Sequence, residues 1–467
     1  MDVLPTGRRR YFNRLLLSLS LLSLLHCGAA APDAERQNVL LITLDTVRAD
    51  HLSSYGYERA TTPNLDRLAA EGYLFERAIA QAALTPVSHA SILTGLNPPN
   101  HGVRVLYAGG GYRLSDQLPT LTTQLQSSGY RTGAFLSAFP VSEFFGFDHG
   151  FERFESGLDQ AAAEVLEETG DGGYRFDTAA NQRRSDETIA QALGWIGEAD
   201  ARPFFSWLHL WDPHDPKILP PDETMREWVD PQQTLRSARL REIYDAEIHY
   251  IDAQIGLLLD QLKSSGQLDN TIVVVVADHG EGLGEHQHWF HRILYQEQLH
   301  VPLIFSLPND SGGRRVASQV RTIDIAPTLL ELLEIESVSR HDGQSLLPLM
   351  RGAAESSPRL AYAEALIEYD LNATHLMKAR PDDALLHSIS DGEWKLIFKP
   401  RAVEKSELYN LLNDADESDN LYSVETEQAR RLYAALFELT PFVTDGFGSG
   451  GDDEVIERLR SLGYVSE

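Results

Sequence analysis

Acidic and imidazole side chains close three of the most apolar runs of the chain. Asp45 and His209 each end one such run, and the pair Asp278 and His279 follows the valine-rich run 271–277. In a parallel sheet the carboxyl ends of neighbouring strands meet at one edge, where ligands bind. We therefore predict Asp45, Asp278 and His279 as ligands of one divalent metal ion. The alternative is that they only cap a turn and form a hydrogen-bonded loop.

The ligand types bear on which metal would bind. Calcium prefers six to eight oxygen ligands, and two carboxylates with one imidazole fall short of that number. An imidazole ligand favours manganese or zinc, and magnesium also accepts carboxylates. We expect manganese, zinc or magnesium rather than calcium.

A hydroxyl group, that of Thr85, precedes another candidate helix. Pro86 disfavours helical backbone for the residue before it, so we expect Thr85 to be extended just before the helix. Ser88 is expected to cap that helix, which would run through Leu93. A helix start favours an anion, and a metal bound to the Thr85 oxygen would make it a nucleophile and a further metal ligand. The alternative is that Thr85 is only the helix cap.

The rest of the chain alternates between strand and helix patterns. This alternation predicts an α/β fold with a large, mainly parallel sheet flanked by helices. The predicted strands are 38–44, 131–137, 203–209, 271–277 and 302–307, and the predicted helices start at 63 and cover 119–127, 187–198 and 240–262.

After residue 350 short strand-like pieces replace this alternation. The pieces 393–398 and 407–411, with a helix near 424–438, predict a small C-terminal α+β subdomain with an antiparallel sheet. The predicted organisation is a signal peptide 1–30, a catalytic domain 38–350, a subdomain 351–442, and a flexible linker with a short helix 443–467.

The first 30 residues have the pattern of a secretory signal. Residues 8–14 are basic, residues 15–25 are apolar, and small residues follow. The apolar stretch is too short for a stable membrane span, and no other segment qualifies. We predict export to the periplasm or the extracellular space with cleavage after Ala30. The alternative is a lipid anchor at Cys27, the only cysteine.

The chain is strongly acidic, with a formal charge of -29. Removing the signal makes it more negative, because four arginines leave with it. Such a surface repels nucleic acids and anionic lipids, so we exclude both as partners. An anionic substrate remains compatible if a metal inverts the local field. The sequence leaves the oligomeric state open.

Residues 85–95 resemble the signature of sulfatases. They read TPVSHASILTG, where the signature reads Cys/Ser-x-Pro-Ser-Arg-x-x-x-x-Thr-Gly. Family-like stretches at 342–349, 394–397 and 407–411 follow in the family's order. Residues 38–467 therefore resemble the sulfatase branch of the alkaline phosphatase superfamily. The resemblance implies the fold of this superfamily and the activity of a metal-dependent ester hydrolase.

Several positions depart from the family pattern. Thr85 stands where sulfatases oxidise a cysteine to formylglycine, and no formylglycine is expected because oxidation of a secondary alcohol gives a ketone. His89 replaces the arginine that helps to hold the nucleophile, either protonated or as a neutral donor of one hydrogen bond. Thr46 replaces a second aspartate. Ser137 and Phe139 stand where a lysine and a histidine are common.

The resemblance also implies two histidines that face the substrate. His214 matches a histidine that precedes a proline-containing turn, and His291, counted back from Tyr295, matches a lysine that holds the sulfate. Both are predicted to contact the ester oxygens and to protonate the leaving group. His286 and His288 lie close by in sequence, and this cluster is alternatively a surface feature or a second metal site.

The missing formylglycine affects which ester is cleaved. A formylglycine hydrate releases sulfate by collapsing to the aldehyde, but a sulfated threonine cannot. A phosphothreonine can be opened by metal-assisted attack at phosphorus. We therefore expect a hydrolase of phosphodiesters or phosphonate esters that forms a covalent Thr85 intermediate on a small-molecule, glycan or lipid-headgroup ester. The alternatives are a sulfuric ester hydrolase using unmodified Thr85, a phospho-group transferase, or a non-catalytic binding protein.

Overall fold

A computed structural model describes most of the chain after residue 35. It covers residues 36–156, 182–214, 218–310, 312–371 and 373–439, together with 167–168 and 174–175. The predicted signal peptide with Cys27 and the predicted terminal segment 443–467 lie outside these residues. Among the described helices, none is both long and apolar enough to cross a bilayer.

Strands and helices alternate through the first two thirds of the chain, as predicted. The strands are β1 (Asn38–Leu44), β2 (Tyr73–Ile79), β3 (Arg131–Leu136), β4 (Arg153–Glu155), β5 (Glu167–Glu168), β6 (Tyr174–Arg175), β7 (Phe204–Leu210), β8 (Thr271–Ala277), β9 (Gly282–Leu283), β10 (Trp289–Phe290), β11 (His300–Val301), β12 (Leu303–Ser306), β13 (Arg314–Arg321), β14 (Ala361–Ala365), β15 (Leu386–Ser390), β16 (Trp394–Phe398) and β17 (Glu407–Asn410). The helices are α1 (Pro63–Glu71), α2 (Thr85–Thr94), α3 (Pro98–His101), α4 (Leu121–Ser127), α5 (Ser185–Ile196), α6 (Asp222–Trp228), α7 (Arg236–Ser264), α8 (Gln296–Leu299), α9 (Ile325–Leu332), α10 (Leu347–Met350), α11 (Thr374–Ala379) and α12 (Thr426–Leu439).

The largest sheet among the described residues has nine strands, most of them parallel. Strands β8, β1, β7, β3 and β4 lie side by side in that order and run in one direction. Strand β12 follows β8 on the other side and is antiparallel to it, and β2 and β13 lie beyond. Helices α1, α4 and α5 pack against this sheet. The predicted α/β fold with a mainly parallel sheet is confirmed.

The register of the central strands brings the predicted ligands together. Leu44, the last residue of β1, lies opposite Ala277, the last residue of β8. The next residues, Asp45 and Asp278, therefore leave the sheet side by side. On the other side of β1, His209 lies on β7 opposite the second-last residue of β1.

The start of α2 differs from the prediction. Ser88 does not cap the helix, because α2 already begins at Thr85 with Leu84 at the N-cap position. Pro86 lies in the first turn, where its missing N–H costs no hydrogen bond. The Ser88 N–H donates to the Leu84 carbonyl over 3.0 Å, and its hydroxyl donates to the carbonyl of Asp278 over 2.6 Å. The expectation that Thr85 lies outside the helix is therefore also wrong.

The C-terminal part forms a second, antiparallel sheet, as expected. Strands β14, β15, β16 and β17 pair in that order, and α12 packs against β15 and β16. Leu432 and Leu436 of α12 are buried in one apolar cluster with Ile389 and Leu396. The boundary proposed near residue 350 stays a prediction, because the chain from Gln37 onward is one compact unit.

Removing the side chain of Leu432 should weaken the packing of α12 against the antiparallel sheet. Leu432→Ala should lower the free energy of unfolding by about 2–5 kcal/mol, because it leaves a cavity in a closed core. Leu439→Ala on the same helix removes a side chain that is 40% exposed and should cost much less. Urea unfolding of the whole protein measures both. Equal losses would contradict the packing described here.

Candidate metal centre and active site

Three predicted ligands meet at the carboxyl edge of the large sheet. One ligand atom from each of Asp45, Asp278 and His279 lies within 4.8 Å of the others, and all three side chains are buried. The set contains two carboxylates and one imidazole, as the sequence led us to expect.

The two carboxylates carry oxygens that lack hydrogen-bond partners among the described residues. These are Oδ1 of Asp45 and Oδ2 of Asp278. Burial, together with the neighbouring charges of Asp278 and Glu281, raises the pKa of Asp45 well above its ordinary value. Burial likewise raises the pKa of Asp278. A divalent cation would neutralise these charges and bind the two oxygens, so the donor set fits a metal ion.

Backbone N–H groups hold Asp278 in position. Its Oδ1 accepts hydrogen bonds from the N–H of His279 at 2.8 Å and from that of Thr46 at 3.2 Å, which leaves Oδ2 free of such bonds. Thr46 adopts the left-handed region, with φ of 56°. This conformation is uncommon for a β-branched residue and turns the N–H towards the ligand. Thr46 thus serves this site with its backbone, although it lacks the second carboxylate.

Thr85 lies next to two of the candidate ligands. Its Oγ1 is 3.3 Å from Nε2 of His279. A hydrogen bond from the Thr85 side chain also acts to lower the pKa of Asp45, opposing the larger effect of burial. The contact between Ser88 and the Asp278 carbonyl fixes the first turn of α2 against the end of β8. The hydroxyl is therefore held at the metal-binding edge of the sheet.

His89 contacts the backbone of Thr85, and both its ring nitrogens have partners. Nδ1 is 2.8 Å from the carbonyl of Thr85, and Nε2 is 3.0 Å from Oγ1 of Thr43. Burial lowers the pKa of His89 to about 3, so the ring is neutral. Of the two alternatives for this position, the geometry favours the neutral donor of one hydrogen bond, which Nδ1 gives to the Thr85 carbonyl.

His214 and His291 lie close together, next to the ring of His279. The ring centroids of His279 and His291 are 4.7 Å apart, and those of His291 and His214 are 5.1 Å apart. His214 also stacks on Trp211 at 3.7 Å. Burial lowers the pKa of both His214 and His291, so each needs a nearby negative charge to hold a proton.

Two residues that contact the candidate site were not predicted from the sequence as site residues. His209 Nε2 is 3.0 Å from Oδ2 of Asp45. Glu281 is buried, and its Oε2 is 3.4 Å from Nδ1 of His291. The position of His209 at a strand end and the closeness of Glu281 to Asp278 in sequence were signals that could have found them.

The neighbouring histidines His286 and His288 make other contacts. His286 stacks on Tyr295 at 3.7 Å, and its Nδ1 lies 3.0 Å from Glu297. His288 Nε2 contacts the carbonyl of His291 at 3.0 Å. Both therefore support the loop that carries His291.

The replaced cationic positions are occupied by neutral, packed side chains. The Ser137 hydroxyl is 2.7 Å from that of Thr188, and Phe139 is buried against Phe144 and Phe145. Neither side chain can supply the positive charge of the lysine and histidine common in sulfatases.

Comparison with known proteins identifies the class of this fold and site. The sulfatase family model matches residues 37–335, and the model for the C-terminal part of N-sulphoglucosamine sulphohydrolase matches residues 284–439. The chain belongs to the sulfatase family, in the alkaline phosphatase superfamily, and is an ester hydrolase of that superfamily. The family prediction from residues 85–95 is confirmed.

The similar proteins include one named for sulfate esters and one named for phosphonate esters. An arylsulfatase of Clostridium perfringens is 25% identical over 83% of this chain and 92% of its own length. The multifunctional alkaline phosphatase superfamily protein PehA of Trinickia caryophylli is 28% identical over 83% of this chain and 91% of its own. The phosphonate monoester hydrolase of Agrobacterium radiobacter has a similar fold, with a TM-score of 0.68, 22% identity, and coverage of 86% of this chain and 95% of that one.

Metal binding should be measurable without any substrate. Addition of Mn²⁺ to chelator-treated protein should raise the thermal unfolding midpoint, because a ligand at 100 times its Kd stabilises by about 2.7 kcal/mol. Asp278→Asn keeps the shape but removes a charge, so it should abolish most of the rise. Without metal this variant should unfold at no lower a temperature than the native chain.

Asp260→Asn is the matched control for that experiment. Asp260 lies on α7, and its side chain is 69% exposed. The control should keep the full Mn²⁺-dependent rise. An equal rise in Asp278→Asn would show that the ion binds elsewhere.

Proposed function

We propose that this protein is an exported, metal-dependent hydrolase of phosphodiesters or phosphonate esters that uses unmodified Thr85 as a covalent nucleophile. The observation that carries the proposal is the closeness of the Thr85 hydroxyl to two members of the candidate ligand set. It lies 3.3 Å from His279 Nε2 and hydrogen-bonds with Asp45. The sequence pattern of residues 1–30, which predicts a secretory signal, supports the location.

Asp45, Asp278 and His279 would hold the metal ion, with Thr85 beside it. When bound, the ion would withdraw charge from the ester oxygens and lower the pKa of the Thr85 hydroxyl. His279 is suited to bind as a neutral imidazole, because burial lowers its pKa. Manganese, zinc or magnesium is proposed over calcium, since the set has few oxygens.

In the first step Thr85 displaces the alcohol. A bond forms between Oγ1 of Thr85 and phosphorus as the bond from phosphorus to the alcohol oxygen breaks. The hydroxyl proton passes to water, because an ion held by Asp45, Asp278 and His279 would lower the pKa of the hydroxyl. The departing oxygen takes a proton from the imidazolium of His214, or of His291 beside it. The negative charge of the bound ester holds that proton on a ring whose pKa burial lowers.

In the second step water releases the acid. A water molecule attacks phosphorus, and its proton returns to His214 or His291. The bond between phosphorus and Oγ1 of Thr85 breaks, and Thr85 recovers a proton from water. The net reaction adds one water molecule to the ester and leaves every side chain in its starting state.

The choice of phosphorus over sulfur rests on the nucleophile. A threonine ester cannot collapse to an aldehyde, so hydrolysis must occur at the central atom, for which phosphorus has established metal-assisted chemistry. The similarity in fold to a phosphonate monoester hydrolase supports this choice. Hydrolysis of sulfuric esters is the second candidate, because the arylsulfatase of Clostridium perfringens is also a relative.

Replacing Thr85 should eliminate turnover and the covalent adduct. Thr85→Ala should lower kcat by at least about a thousandfold, because catalysis through a covalent intermediate is lost. Acid quenching of the native enzyme during turnover, followed by peptide mass spectrometry, should find a phosphoryl or phosphonyl group on residue 85. Thr94→Ala, on the same helix, should keep both activity and adduct. Full activity in Thr85→Ala would remove the nucleophile from the scheme.

A substrate panel tests the choice of ester. Nitrophenyl sulfate, phosphate monoester, phosphodiester and phosphonate ester should be compared with Mn²⁺, Zn²⁺, Mg²⁺ and Ca²⁺. We expect the highest kcat/KM for the diester or the phosphonate and the lowest activity with Ca²⁺. A preference for the sulfate would instead support the second candidate.

A further inference from the structure

A cavity of about 570 Å³ opens directly beside the histidine cluster. His214 and Glu281 line it, together with the start of α7 and the β9–β10 hairpin. Its walls are mainly apolar. The apolar side chains that line it are Leu235, Leu240, Ile243, Leu283, Trp289 and Phe290.

The cavity lies at the far end of the row of catalytic candidates. The row begins with Thr85 and His279, whose Oγ1 and Nε2 atoms are 3.3 Å apart. It continues through His291 to His214, which lines the cavity. A nucleophile and a leaving group occupy opposite sides of the reacting atom in an in-line displacement. The alcohol displaced by Thr85 would therefore leave towards His214 and enter this cavity.

Polar side chains form the smaller part of the cavity lining, and they are His214, Arg236, Ser237, Tyr244, Glu247 and Glu281. The Tyr244 hydroxyl already donates to the Thr46 carbonyl at 2.6 Å and accepts from the Arg48 N–H at 2.9 Å. Glu281 contacts His291 through Oε2. A sugar would have to leave several hydroxyl groups against apolar walls, and each unpaired hydroxyl would weaken binding.

The hairpin at the rim presents large apolar side chains to solvent. Phe290 is 56% exposed and Trp289 is 36% exposed. Phe290 also has a φ of 73°, a strained conformation for an aromatic residue. Strain and exposed aromatic surface next to a catalytic group are typical of binding sites.

We propose that this cavity binds the alcohol half of the ester, and that this alcohol is a hydrophobic phenol or alkyl alcohol rather than a sugar. The inference rests on the proposed function, because it needs His214 on the leaving-group side. It adds the substrate class: an ester whose acid group is anionic and whose alcohol is apolar. A cavity of this size accepts a ring that carries a short alkyl chain.

A series of 4-alkylphenyl phosphonates, from methyl to pentyl, tests the inference. The leaving-group pKa hardly changes along this series, so the trend reports binding of the chain. We expect kcat/KM to rise about two- to fourfold for each added methylene group. A flat or falling trend would overturn the inference.

Binding of the free alcohols provides a readout that needs no turnover. Calorimetry with 4-alkylphenols on Thr85→Ala protein should show Kd falling with chain length, and methyl glucoside should bind far more weakly. Tighter binding of the glucoside would overturn the inference. If the alkylphenols bind as expected while none of the esters is cleaved, the proposed function fails and the inference about the cavity stands.

Two variants assign the effect to this cavity. Leu240→Asn places an amide on its wall and should remove most of the chain-length dependence of both kcat/KM and Kd. Trp289→Ala should reduce the dependence by removing part of the rim. Leu257→Asn lies on the same helix at a position that is 59% exposed and should behave as the native protein. An unchanged dependence in both Leu240→Asn and Trp289→Ala would overturn the assignment.

Discussion

The site depends on two buried carboxylates that cannot both stay charged without a cation. Asp45 and Asp278 are shielded from water, Glu281 adds a further acidic group nearby, and burial raises the pKa of all three. Protonation would remove the repulsion but would also remove the ligands. A divalent ion would remove the repulsion and keep both carboxylates as ligands, because it would supply the opposite charge at the oxygens that lack hydrogen bonds. Metal binding and the stability of this region are therefore linked.

The parallel sheet creates this arrangement by placing strand ends next to each other. Strand β1 is paired with β8 on one side and β7 on the other, so the residues that follow or end these strands converge. Thr85, the proposed nucleophile, lies on helix α2, and the hydrogen bond from Ser88 to the Asp278 carbonyl joins that helix to the same strand end. Movement of α2 away from the carboxyl edge of the large sheet would break this contact. The fold thus couples the position of Thr85 to that of Asp278.

The sequence predicted the elements whose pattern has one good interpretation. The uninterrupted apolar runs at 38–44 and 271–277 became strands with those bounds, since such runs must be covered on both faces. The start of α2 was placed too late, because the preference of proline for the first turn outweighs its effect on Thr85. The strand-end position of His209 was visible in the sequence, but its contact with Asp45, 164 residues away, also needs the pairing of β7 with β1, which the pattern did not specify. The apolar cavity was likewise not predicted, as its walls come from separate segments.

The charge of the site restricts the class of ester substrate further than the identity of the nucleophile does. Two family positions that commonly carry cations hold Ser137 and Phe139, and the signature arginine is the neutral His89. The nearby cation Arg292 is paired with Asp370 at 2.6 Å. A phosphate monoester carries nearly two negative charges at neutral pH, whereas a phosphodiester or a phosphonate monoester carries one. Because the described residues of the site supply few cations, the lower charge costs less to bury. Threonine favours phosphorus and the neutral His89 favours a monoanion, and the diesters and phosphonate monoesters that we propose as substrates meet both conditions.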